Sequence, residues 1–113
     1  MKKISEIILE LKSGNASEEK LEEYLAVDNI AVQWLCINEI RKFKFMNDKI
    51  INRLLHLSND RESEQFLRGY SISDFAIVLL LENEVSENEI PLYEKLDDFE
   101  KDTISRLMNS SEW

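Results

Sequence analysis

The residue pattern predicts an all-α protein of about six helices in antiparallel hairpins. Two glycines and one proline in 113 residues leave few points at which a helix must break. Apolar residues recur three and four apart through most of the chain, and no apolar–polar alternation flanked by hairpin turns suggests a strand. With 43% apolar residues, a chain of this length buries roughly two thirds of its unfolded surface, so residues 1–113 are expected to form one helical domain needing no disulfide or metal.

The first helix is placed at about residues 3–13, with Ile4, Ile7, Ile8 and Leu11 on one face and Gly14 near the C-cap. Ser17 is a candidate N-cap for a short second helix presenting Leu21, Tyr24 and Leu25. The third lies in "VDNIAVQWLCINEIRKF", residues 27–43, capped by Asp28 or Asn29. Ala31, Trp34, Leu35 and Asn38 share one of its sides, and Ile30, Ile37 and Ile40 widen the apolar face towards a second neighbour. Asn47 and Asp48 begin a fourth helix carrying Ile50, Ile51, Leu54 and Leu55, which "LSND" closes. A fifth is expected from about Asp60 to Leu81, through Phe66, Leu67, Tyr70, Phe75 and the apolar run 77–80. Gly69 is its soft point, costing up to about 1 kcal/mol relative to alanine. "SENE", residues 86–89, has capping-box spacing, and Pro91 suits a first helical turn. The sixth helix is therefore placed over Leu92, Tyr93 and Leu96, with a break near Asp97 before a last segment containing Phe99, Ile104, Leu107 and Met108.

Shifting the chain by 35 residues sets Val32 on Leu67, Leu35 on Tyr70, Cys36 on Ser71, Ile37 on Ile72, Glu39 on Asp74 and Ile40 on Phe75. Periods of this size belong to stacked helical hairpins, in which each pair leaves an apolar face for its neighbours to cover. The stretch "LAVDNIAVQWLCINEIRKF…IINRLLHLSND…FLRGYSISDFAIVLLLEN", about residues 26–83, resembles HEAT-like repeats. Val32-Gln33 and Leu67-Arg68 stand where a HEAT helix often carries valine-arginine, and the period is shorter than usual. The resemblance implies a scaffold that presents its surface to other macromolecules. In size, acidity and helical character the chain also resembles small immunity proteins of bacterial polymorphic and contact-dependent toxin systems, whose targets are often basic nuclease domains.

Cys36 stands alone between Leu35 and Ile37, where a thiol behaves as a small buried hydrophobe, and a reducing cytoplasm is the expected location. Glu6, Glu10 and Lys12 interrupt what would be the apolar core of a signal peptide, and no apolar run approaches a membrane span. His56 is the single histidine, and with Cys36 as its one soft companion no transition-metal spacing arises. Neither a G-x-S-x-G elbow nor a glycine-rich phosphate loop nor an EF-hand pattern is present. No catalysis, metal or cofactor is therefore expected. The carboxylates read mainly as exposed helix faces, with Asp97–Lys101 and Asp102–Arg106 at the supporting i, i+4 spacing.

Charge placement says more. The net charge is -9, and residues 81–113 hold ten acidic and three basic side chains whereas residues 41–80 hold five acidic and seven basic. Such acidity opposes binding to a phosphate backbone, so the expected partner is a basic protein rather than nucleic acid or a membrane. The acids Glu82, Glu84, Glu87, Glu89, Glu94, Asp97, Asp98, Glu100 and Asp102 would form the steering field, with Tyr93 and Phe99 as anchors. The smaller basic group, Arg41, Lys42, Lys44, Lys49 and Arg53, is interleaved with Phe43 and Phe45 and reads as a helix terminus complementing its dipole. The function expected is an immunity protein that binds and neutralises a cognate toxin domain. The alternative is an adaptor or regulatory subunit of a larger assembly.

Overall fold

The computed structural model describes residues 3–59, 66–67 and 70–110. Among these residues the protein is all-α, with helices α1 (Ile4–Ser13), α2 (Glu18–Leu25), α3 (Ile30–Phe43), α4 (Asp48–Ser58), α5 (Ile72–Glu82) and α6 (Asp98–Met108). The chain divides into two compact units, Met1–Arg53 and Leu54–Trp113, with the boundary inside α4.

In the first unit α3 packs against both α1 and α2. Gly14 ends α1 in the left-handed conformation, φ 75°, which a residue without a Cβ adopts at no steric cost. Ile7 and Leu11 are the buried residues of α1, Ile8 is half-buried, and Ile4 is left exposed. Ser17 caps α2 by accepting from the Lys20 N–H at 3.3 Å, and Leu21, Tyr24 and Leu25 turn inward as their spacing predicts. Asn29, not Asp28, caps α3, its side-chain oxygen accepting from the Val32 N–H at 3.1 Å. The buried stripe of α3 is Val32, Gln33, Cys36, Ile37 and Ile40, rotated from the expected Ala31, Trp34, Leu35 and Asn38, which are half-buried. Gln33 is tolerated inside because its amide donates to the Val27 carbonyl at 3.0 Å. Asn47 starts α4 by accepting from the Ile50 N–H at 2.9 Å, and its amide group donates to Glu22 of α2. Arg53 reaches the carbonyls of Leu25 and Ala26 at 3.2 and 3.4 Å, so its charge serves the C-terminus of α2 rather than that of its own helix.

In the second unit the expected fifth helix is shorter at its start. Phe66–Leu67 and Tyr70–Ser71 form a two-residue antiparallel pair, and the helix begins only at Ile72. Asp60 and Gly69, the expected start and soft point, lie outside the described residues. A reciprocal capping box sets the true start. The Ser71 hydroxyl accepts from the Asp74 N–H at 3.2 Å while the Asp74 carboxylate accepts from the Ser71 N–H at 3.0 Å. Residues 73–80 of α5 are buried all round, as an apolar helix without a polar face requires. Ser73 adds an anchor, donating to the Ser58 carbonyl at 2.6 Å, and α6 packs against α5. The 35-residue register pairs the α3 residues Val32, Leu35 and Cys36 with the strand residues Leu67, Tyr70 and Ser71, whereas Ile37, Glu39 and Ile40 fall on Ile72, Asp74 and Phe75 of α5, helix on helix.

The expected helix over residues 87–96 is instead two single 3-10 turns, Glu87–Glu89 and Tyr93–Lys95. Pro91 is the physical reason. The residue before a proline is driven from the helical region, and Ile90 is extended at φ -105°, ψ 99°. Ser86 accordingly makes no capping hydrogen bond, whereas Asp97 and Glu100 form a reciprocal capping box that starts α6.

Candidate protein-binding surface

Between α5 and α6 the chain is held by three apolar pegs. Val85, Ile90 and Leu96 are buried in an otherwise acidic stretch. Asn83 closes α5 by donating from its side chain to the Leu79 carbonyl at 2.7 Å, and Glu84 turns the chain in the left-handed conformation at φ 67°. The Val85 N–H then folds back onto the Leu80 carbonyl at 3.1 Å. With the apolar residues turned inward at intervals of five and six, Glu82, Glu84, Glu87, Glu89 and Glu94 are left exposed.

The eleven residues expected to form the partner surface are not equivalent. Tyr93 is half-buried, Lys101 Nζ stands 5.3 Å from its ring centroid, and burial, together with the charge of the Glu87 carboxylate and its hydrogen bond with the hydroxyl, raises its pKa above the ordinary tyrosine value. It is already engaged within the chain. Asp97 accepts from the Glu100 N–H at 2.8 Å and Glu100 from the Asp97 N–H at 3.3 Å, so both acids build the start of α6. The Asp97 carboxylate is thus taken up by the cap, and Lys101, its expected ion-pair partner, lies over Tyr93. Asp102 does pair with Arg106, at 3.1 Å.

Glu89, Glu94 and Asp98 remain exposed, and among the described residues no ion pair holds them. Phe99 is 72% exposed at the first turn of α6, where a core residue would be expected from its apolar side chain. Asp98 adjoins Phe99 in the sequence and Asp102 follows it three residues later in α6, both exposed.

Other chemistry is sparse. Cys36 is fully buried and His56 is exposed. Among the described residues no group of three or more His, Cys, Asp or Glu is arranged to hold a metal ion, and no helix is long and apolar enough to cross a membrane. No family model, curated protein or solved structure matches the chain.

Proposed function

We propose that this chain is a non-catalytic protein-binding domain that takes a basic protein partner on the acidic face between α5 and α6. The observation that carries the reading is Phe99, 72% exposed, with the exposed carboxylates of Glu94, Asp98 and Asp102 within five residues of it in the sequence. The ring supplies the area that survives salt, and the carboxylates supply long-range attraction, which accelerates encounter more than it strengthens the final contact. The sharper form of the reading is an immunity protein in the bacterial cytoplasm that occludes a cognate toxin domain. A nuclease, with a basic cleft made for phosphates, is the toxin class that suits this face.

Capture from the native organism, washed at low and high salt, tests the reading. A single basic protein bound one to one is expected, with an association rate falling about tenfold or more between roughly 0.01 and 0.5 M salt and a dissociation rate that changes little. Phe99→Ala should speed dissociation, and the double variant Glu89→Lys, Glu94→Lys should slow association. Affinity unchanged in both variants rejects the surface. Protection of cells that express the recovered partner together with this chain decides for immunity, whereas a multi-subunit assembly decides for an adaptor.

A further inference from the structure

The C-terminus of α3 carries the opposite chemistry. Lys42 and Lys44 are exposed there, Phe43 is 44% exposed, and its ring stacks on that of Phe45 with centroids 5.7 Å apart and 30° between planes. Lys42 Nζ stands 5.3 Å from the Phe43 ring centroid. Lys44 adopts the left-handed conformation, φ 58°, and so turns the chain that the Phe45 N–H reaches the Ile40 carbonyl at 3.2 Å. That reversal brings the two rings side by side. A cationic last turn by itself only complements the helix dipole. The dipole, however, gives no reason for a stacked aromatic pair with one ring in water, and a pair already ordered loses little freedom on contact.

We propose that this knob docks on the acidic face of a second copy of the same chain, so that the protein associates with itself head to tail. Complementarity points to the second copy. Exposed Lys42 and Lys44 adjoin Phe43 in the sequence, and exposed Asp98 and Glu94 lie one and five residues before Phe99, so each segment pairs one exposed phenylalanine with nearby charges, of opposite sign. The contact is heterologous, and copies add until a ring closes or a chain grows. The inference rests in part on the acidic face described above, because a basic partner and a second copy would compete for it.

Net charge shapes the salt dependence. At -9 two copies repel at a distance, but at about 0.15 M salt the screening length is roughly 8 Å, which removes the distant repulsion before the contact pairs. Association is therefore weak near 0.01 M salt, greatest around 0.15 M and reduced near 1 M.

Sedimentation velocity of the full chain alone, from about 10 μM to about 1 mM, tests the proposal in the affinity range of weak contacts. The expected result is a mass that rises with concentration at intermediate salt and an association constant lowered at least about tenfold by Lys42→Glu with Lys44→Glu, or by Glu89→Lys with Glu94→Lys. Mixing the two double variants should restore association, since each keeps the surface the other lacks. Circular dichroism verifies that they are folded, and Phe43→Ala serves if a charge variant is not. A chain that stays monomeric throughout overturns the proposal, as does association that persists in both double variants. Neither result touches the basic-partner reading, which is measured with the partner present.

Discussion

Cys36 lies at 0% exposure, and burial, reinforced by the charge of Glu39, pushes its thiol up to about 12 from an ordinary value of 9.0. Below pH 9 folded and unfolded chains both hold the proton. Above it the unfolded chain releases the proton while the folded chain keeps it, so stability falls with rising pH by up to about 1.4 kcal/mol per unit. Urea unfolding between pH 8 and 10.5 should show a steeper alkaline decline for the natural chain than for Cys36→Ala, and equal slopes would refute the buried, proton-holding thiol. Cysteine burial was readable from Leu35 and Ile37 on either side. Lys44 and Glu84 were not readable in this way, because neither residue type favours positive φ. Relief of that strain predicts that Lys44→Gly and Glu84→Gly each raise stability by about 0.5–1 kcal/mol, offset in part by glycine's greater unfolded freedom. A fall in the urea midpoint of either variant counts against a strained turn.

Capping decides the elements of the second unit. "SISD" at residues 71–74 and "SENE" at residues 86–89 have the same acid-at-the-fourth-position spacing, yet one starts an eleven-residue helix and the other a single 3-10 turn. Downstream sequence separates them: an apolar run without proline follows the first, and Pro91 follows the second. Asp74→Ala leaves the nearly buried Ser71 N–H without its carboxylate and should reduce stability by about 1–3 kcal/mol. At the exposed start of α6, Asp97→Ala should remove about 0.5–2 kcal/mol, whereas Ser86→Ala, with no capping bond to lose, should stay within about 0.5 kcal/mol. Thermal unfolding of the three variants checks the order. It also bears on the choice of charge reversals, since changing Asp97 or Glu100 to lysine would loosen α6 and weaken binding for a structural reason.

Across the whole molecule, two phenylalanines have opposite work. Phe75 is 2% exposed and Phe99 is 72% exposed. Alanine at residue 75 should reduce stability by about 3–5 kcal/mol, and alanine at residue 99 by less than about 0.5 kcal/mol. Comparable losses would mean that Phe99 belongs to a core. Charge acts on the same scale. The exposed Asp102–Arg106 pair is worth little and is weakened by salt, while the self-repulsion of a net charge of -9 is relieved by it. The melting temperature should accordingly rise from about 0.01 to about 0.2 M sodium chloride, and a fall would place the balance with the attractive pairs.

Local signals alone were enough for the all-α class, for Ser17 and Gly14 at helix ends, for the inward face of α2 and for the acidity of residues 81–113, because each depends on neighbours within one or two turns. Tertiary structure decided which stripe of α3 is buried, since Gln33 is acceptable inside only where the Val27 carbonyl meets its amide. It also decided the roles of the acids. Periodicity treats Tyr93 and Phe99 as similar aromatic residues in an acidic segment, but packing against Lys101 and Glu87 engages one and leaves the other in water. Charge is additive along a sequence, whereas exposure depends on what folds over each side chain.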